Sequence, residues 1–226
     1  MFDSLFAKFD SIIFLDVETS GLNPKFDEII ELGAVRVREN DGSLVTDKEV
    51  DLLVRLSPGK QLSTEITALT GITQTNIDER GVSKAEICGV LQELFGTGNP
   101  IVVAYNAQFD LCFLYYLLAS YGDAAKLKNI NMLDALTVYK DRREYPHKLE
   151  NAVAEYNLKT ESTHRAIDDA IATYSLLCAI DNELPDLDQY INLFGYNPKY
   201  GISGPRISSV KYVPQPYYSS IKVYAK

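Results

Sequence analysis

The 226-residue sequence predicts an α/β fold in which a mixed sheet carries helices on its faces. Three observations predict it. Apolar, β-branched runs separated by turn residues occupy the beginning of the chain. Short apolar runs alternate with helical periodicity after residue 100. The composition, 46% hydrophobic and 23% charged, is that of a globular chain long enough to bury a substantial core. Consecutive strands joined by turns pair antiparallel, whereas strand–helix alternation leads to parallel pairing, so one sheet should hold both.

Taken in order, residues 11–15 are apolar and β-branched, and residues 28–38 (EIIELGAVRVR) continue in the same vein. The turn signal Gly21-Leu22-Asn23-Pro24 between them predicts two strands joined by a loop. Residues 50–56 alternate well enough for a third strand, ended by Ser57-Pro58-Gly59. From Ser63 the spacing becomes helical. Ser63-Thr64-Glu65-Ile66 is a capped start to a helix ending near Gly71, and residues 83–95 place Ala85, Ile87, Val90, Leu91 and Leu94 at helical intervals before Gly96. Ile101-Val102-Val103-Ala104 reads as a strand buried on both faces, followed by a helix over 108–121. Residues 129–133 and 134–140 repeat strand then helix, and helices over 149–156 and 165–180 close the main body.

Beyond Leu184 the character changes. Pro185, Pro198, Pro205, Pro214 and Pro216, with Tyr190, Tyr196, Tyr200, Tyr212, Tyr217, Tyr218 and Tyr224, predict an extended appendage rather than a second core-forming domain. The expected organisation is one domain over 1–184 and a Pro/Gly/Tyr-rich extension over 185–226.

Composition also bounds function. A formal charge of −9 argues against nucleic-acid affinity drawn from a broad basic surface, yet an enzyme that gathers carboxylates around cations carries negative charge at its own site. Cys88, Cys112 and Cys178 are widely separated and lack metal-ligand spacing, so they are expected as reduced structural thiols. No apolar run has membrane-spanning length and the N-terminus has no basic signal region, so cytoplasm is the expected compartment.

Three clusters carry chemistry. Asp16 and Glu18 end the first strand two residues apart, so both project from one face. Two carboxylates in that position repel unless a cation lies between them; the alternative is an exposed polar strand end. Asp110, in Asn106-Ala107-Gln108-Phe109-Asp110, lies in the first helical turn after the buried strand, where it either faces a site or serves the helix dipole. His164-Arg165-Ala166-Ile167-Asp168-Asp169-Ala170 opens the last main helix. Asp168 and Asp169 point about 100° apart, so only one can face a site squarely. Hard oxygen ligands without cysteine select Mg²⁺ or Mn²⁺ over zinc. A histidine beside such a cluster is a candidate general base, because imidazole titrates near neutrality.

With these segments in place, the sequence resembles the DEDDh exonucleases, the family that includes the proofreading subunit of the bacterial replicative polymerase, RNase T and oligoribonuclease. Phe14-Leu15-Asp16-Val17-Glu18-Thr19-Ser20-Gly21-Leu22 matches the family's first motif, Asn106 to Asp110 its second, and His164 to Ala170 its third. Glu65-Ile66-Thr67-Ala68-Leu69-Thr70-Gly71-Ile72-Thr73 resembles a segment of the proofreading branch. Tyr105 stands where relatives often carry histidine. The family's third motif sets the metal acid five places after the histidine, which selects Asp169 over Asp168.

The resemblance implies an RNase H-like five-stranded mixed sheet and a metal-dependent 3′→5′ exonuclease releasing 5′-nucleoside monophosphates. Asp16, Glu18 and Asp169 would hold one Mg²⁺ (or Mn²⁺), Asp16 and Asp110 a second, and His164 would be the base. Thr19, Gly21 and Leu22 would grip the terminal nucleotide. Ile66, with Leu69, would complete an apolar pocket or belong to the core. Asn106 and Phe109 would touch sugar or base, with core packing the alternative for Phe109. The expected substrate is a single-stranded or frayed DNA 3′ end, with a DNA polymerase as a candidate partner; RNA trimming and an inactive nucleic-acid- or polymerase-binding module are the alternatives. His147 is expected as a helix cap and Asp134 as an N-cap or a further acid near the site.

Overall fold

The computed structural model describes residues 1–160, 162–217 and 221–226; Tyr218 lies outside them. A short α1 (Asp3–Phe6) precedes the antiparallel strands β1 (Ser11–Thr19), β2 (Ile29–Asn40) and β3 (Ser43–Leu53). Helices α2 (Thr64–Thr70), α3 (Gln74–Arg80) and α4 (Lys84–Gly96) follow, then β4 (Pro100–Ala104), α5 (Ala107–Tyr121), β5 (Asn131–Asp134), α6 (Ala135–Lys140), α7 (Leu149–Glu155) and α8 (Ala166–Glu183). The sheet order is β3-β2-β1-β4-β5. Strand β1 is central, antiparallel to β2 and parallel to β4, so the expected mixed sheet of five strands is present.

Alternation along β1 sends its two faces into different cores. Ile13, Leu15 and Val17 pack with Ile87 and Leu91 of α4 and Leu111 and Leu114 of α5. Ile12 and Phe14 pack on the other face with Val138 of α6 and Leu176, Leu177 and Ile180 of α8. The same period of two carries Asp16 and Glu18 onto the α8 face.

Two differences from the sequence reading have local causes. Strand β3 begins at Ser43 rather than near residue 50 and ends at Leu53. Its outer half, Thr46-Asp47-Lys48-Glu49, is largely exposed at the sheet edge, so backbone pairing holds it without a hydrophobic pattern. Helix α3 was not expected because Ile77 is its one buried residue; a capping box between Thr73 and Asn76 sets its start.

The C-terminal residues are folded onto the body. Asn192 N–H donates to the Met132 carbonyl at 2.7 Å, and β6 (Leu193–Tyr196) pairs in parallel with β7 (Lys211–Pro214). Leu187, Tyr190, Phe194, Val213 and Val223 are buried in the two main cores. The proline and tyrosine density obscured this, because these apolar anchors are spaced by turns rather than by a helical or strand period.

Candidate active site

The site forms where β1, α5 and α8 meet. Asp16 and Glu18 are half-buried on the α8 face of the sheet. Asp110 in the first turn of α5 is buried, and its Oδ1 accepts the Val17 N–H at 3.0 Å. One of its oxygens is therefore tied to β1, midway between the other two acids. Asp169 is buried in the first turn of α8, with Oδ1 accepting the Thr163 N–H at 3.2 Å. Asp168 turns aside to take the Thr163 hydroxyl at 2.5 Å. His164 is exposed and holds a left-handed backbone, φ 58°. Ligating atoms of Glu18, His164 and Asp169 all lie within 4.8 Å of one another.

What brings α8 so near the sheet is legible in β2. Gly33 is the register partner of Asp16, and a Cβ added there would lie 2.1 Å from the Ala166 carbonyl carbon and 2.2 Å from Ile167 N. Only a residue without a side chain lets the helix backbone ride this close. Two residues earlier, the fully buried Glu31 accepts the Ala166 N–H at 2.8 Å and the Arg165 Nε–H at 2.9 Å. Glu31 thus caps α8 from the sheet.

The electrostatics follow from this crowding. Burial, and then the charges of Asp110, Asp169, Glu18 and Glu31, hold Asp16 well above the ordinary carboxylate range. Glu18 is pushed up to about 8, mainly by burial and then by Asp169 and Glu31. Burial likewise raises Asp110, although the Val17 N–H opposes it. Asp169 is raised by burial too, against Ser162 and His164. Four carboxylates that resist ionising together are a donor set matched to hard divalent cations, which would replace the bound protons.

Asp16, His164 and Asp169 open into a cleft of about 410 Å³ whose other walls include Tyr105, Asn106, His147 and Leu149. Asn106 is exposed with φ 66° and begins α5. Its N–H and that of Ala107 donate to Oδ1 of buried Asp134, at 3.0 and 3.1 Å. Asp134 also accepts the Leu136 N–H and the Thr137 hydroxyl, so it caps α6 and braces the turn carrying Asn106.

Around the first motif, the buried Thr19 hydroxyl donates to the Gly21 carbonyl at 2.7 Å. Gly21 lies against the Asp27 carboxylate, and Leu22 is 84% exposed. Ile66 packs against the small cluster of Ile30, Leu53, Leu56, Ile72 and Ile77, and Leu69 stays half-exposed. Phe109 is half-buried on Phe113, ring centroids 5.0 Å apart. His147 does not cap a helix. It is buried, with Nε2 meeting the Arg143 carbonyl at 3.0 Å while the Tyr105 hydroxyl donates to its carbonyl at 2.8 Å. Sequence reasoning missed Glu31, Gly33 and the cleft position of His147. A buried acid inside a strand and a glycine two places on were the available signals.

The family model described as exonuclease matches residues 13–177. The chain belongs to the exonuclease family. Among curated relatives, this exonuclease is 30% identical over 208 residues to the DNA polymerase III PolC-type of Latilactobacillus sakei, covering 88% of this chain and 13% of the relative. It is 35% identical over 174 residues to that of Thermotoga petrophila, covering 76% and 12%. The chain therefore spans about an eighth of the length of these relatives. Among solved structures, E. coli exonuclease I in complex with a dA16 oligonucleotide superimposes with TM-score 0.71 at 19% identity, over 80% of this chain and 42% of that one. Exonuclease I from Methylocaldum szegediense gives 0.66 at 20%, over 80% and 42%. The RNase H-like fold, the enzyme class and the exonuclease family expected from the sequence are thereby borne out. Among the described residues, no helix is long and apolar enough to cross a membrane.

Proposed function

We propose that this chain is a 3′→5′ exonuclease that trims single-stranded or frayed DNA ends to 5′-nucleoside monophosphates, with His164 as general base. The observation that carries the proposal is the convergence of Glu18, His164 and Asp169 within 4.8 Å beside Asp16 in one cleft. DNA is preferred to RNA because the polymerase relatives are named for DNA and E. coli exonuclease I has been captured with deoxyoligonucleotides. The same relatives support an editing role beside a polymerase in the cytoplasm. Residues 1–184 would be the catalytic domain and 185–226 its extension.

The donor set fits two Mg²⁺ or Mn²⁺ ions, one held by Asp16, Glu18 and Asp169 and one shared by Asp16 and Asp110. Because one Asp110 oxygen already accepts the Val17 N–H, that residue offers the other. Bound there, the ions would acidify the attacking water and neutralise charge building on the scissile phosphate and the leaving 3′ oxygen. The chain's own residues supply the rest. His164, exposed at the mouth of the cleft, takes the proton from water and passes it to solvent. Asp169, held by the Thr163 N–H, lies within 4.8 Å of the imidazole and of Glu18 and completes the donor set there. Thr19, Gly21, Leu22, Asn106 and Phe109 receive the terminal nucleotide, and Ile66, which packs on the small cluster of Ile30, Leu53, Leu56, Ile72 and Ile77, contributes apolar surface to it.

The test is digestion of matched 5′-labelled and 3′-labelled oligonucleotides with metal titrated in. Wild type should shorten the 5′-labelled strand stepwise, and His164→Ala should slow it by about 10²- to 10⁴-fold. Products that shrink from the 5′ end, or full activity in the variant, would overturn the assignment.

A further inference from the structure

The turn that carries His147 along the cleft also presents an aromatic cluster that the proposed chemistry does not use. Tyr145 is 60% exposed and Tyr217, from the C-terminal extension, 38%. Their rings lie 5.4 Å apart at 66°. Both rest on the buried His147 ring, Tyr145 edge-on at 5.8 Å and Tyr217 nearly parallel at 6.1 Å and 20°. Beneath, Tyr139 meets His147 edge-on at 5.8 Å. The base of this stack is rigid, because His147 is fixed at Nε2 by the Arg143 carbonyl and at its own carbonyl by Tyr105.

Tyr217 is brought here by anchors on both sides. Gln215, 1% exposed, donates to the Thr137 carbonyl and to Asp141 Oδ1, each at 2.9 Å. Downstream, Lys222 Nζ donates to the Asp141 carbonyl at 2.8 Å and the Val223 N–H to Asp141 Oδ2. The extension is pinned twice to Asp141, and Tyr217 lies between the pins. Exposed aromatic rings on a braced backbone lose little entropy on gaining a partner.

We propose that Tyr145 and Tyr217 form a stacking platform for a base of the single-stranded substrate, a few nucleotides from the scissile bond. The proposal rests on the exonuclease reading of the cleft. Three observations favour a nucleic-acid strand as the occupant. His147 and Lys148 line the catalytic cleft itself, so the platform continues the substrate path. The same turn borders a hollow of about 650 Å³ lined by Arg142, Arg143, Tyr145 and Asn151 together with Glu144 and Glu155, which leaves open space beside the Tyr145 ring. A chain of formal charge −9 with four carboxylates at its site needs non-ionic affinity, and base–aromatic stacking supplies that on any sequence.

The test compares wild type with Tyr145→Ala, Tyr217→Ala and Tyr217→Phe on two probes. One is a labelled oligothymidylate of roughly 12 nucleotides, near the usual site size for such grooves. The other is the p-nitrophenyl ester of thymidine 5′-monophosphate, which is too short to reach the platform. Binding of the oligonucleotide is read by fluorescence anisotropy with Ca²⁺ in place of Mg²⁺, and turnover of both probes with Mg²⁺. Each alanine variant should weaken oligonucleotide binding and raise its KM roughly tenfold, equally at low and high salt, while ester hydrolysis stays within about twofold; Tyr217→Phe should match wild type. Unchanged oligonucleotide binding, or equal losses on both probes, would overturn the platform. If wild type hydrolyses neither probe, the exonuclease reading fails, and the anisotropy arm still decides whether the tyrosines hold a strand.

Discussion

Replacing Gly33 by alanine tests how the third motif is delivered to the first. An added Cβ would meet the Ala166 carbonyl carbon at 2.1 Å, its oxygen at 2.3 Å and Ile167 N at 2.2 Å, all backbone atoms, whereas ordinary contact begins at 3.4 Å. No side chain can rotate away to make room, so α8 must retreat from the sheet by roughly 1 Å. Asp169 lies in the first turn of that helix and moves with it, away from Glu18 and Asp16. A misplacement of about 1 Å at a catalytic group costs on the order of 10²-fold in rate. Overpacking should cost about 1–3 kcal/mol of stability, which for a chain of this size lowers Tm by roughly 5 °C. The assay is a time course on a 5′-labelled oligonucleotide together with thermal unfolding. Gly89→Ala in α4, where an added Cβ meets nothing within 4 Å, is the control and should leave activity unchanged. Should Gly33→Ala retain activity within about threefold of wild type, close backbone packing would not be what positions Asp169.

Other perturbations give equally definite outcomes. Asp16→Asn should abolish turnover yet raise the Tm of the metal-free protein by a few degrees, since it removes a buried carboxylate crowded by the charges of Asp110, Asp169, Glu18 and Glu31; calorimetry in a chelator checks it. Glu18 is pushed from its ordinary 4.5 to about 8 in the fold, so its protonated form is the stable one. The metal-free protein should therefore be steadiest below about pH 4.5 as far as this group is concerned, losing stability as pH rises through about 8. Saturating Mg²⁺ or Mn²⁺ should reverse that loss, raising Tm by roughly 5–10 °C at about 100 times Kd and by more at alkaline than at mildly acidic pH; an equal shift at both would refute proton–metal exchange at the site. Ending the chain after Leu184 would strip Leu187, Tyr190, Phe194, Val213 and Val223 from the cores, and the shortened protein should show no cooperative melt.

The sheet was legible because β1, β2 and β4 bury their side chains and so write period-two or all-apolar patterns into the sequence. Asp16 and Glu18 were legible for the same reason: alternation that sends Ile12 and Phe14 toward α8 sends the acids there too. Single-residue periodicity could not choose between Asp168 and Asp169, which differ by about 100° on the helix. The geometry separates them, one acid facing Glu18 and His164 and its neighbour engaged by Thr163. Glu31 and Gly33 left only a faint signal, an acid and a glycine inside an apolar strand, because their work is done on an element more than 130 residues away. How the extension docks was illegible for a related cause. Its buried residues are isolated anchors, and Gln108, which holds the Ser203 and Pro205 carbonyls and the Tyr212 hydroxyl, looks from the sequence like an ordinary helix-surface residue.

The Gly33–Ala166 contact also has a bearing on biosynthesis. The first motif leaves the ribosome long before the third, about 10 s earlier at ordinary elongation rates. Through that interval β1 can pair with β2, yet the groove beside Gly33 has no helix to fill it and Glu31 has no Arg165 to hold. A nascent chain cut short before residue 164 should accordingly be inert toward oligonucleotides, and stalled ribosome complexes of graded length would reveal whether hydrolysis appears only once α8 has emerged. On the exonuclease reading, the ability to degrade nucleic acid would then be among the last properties the domain acquires.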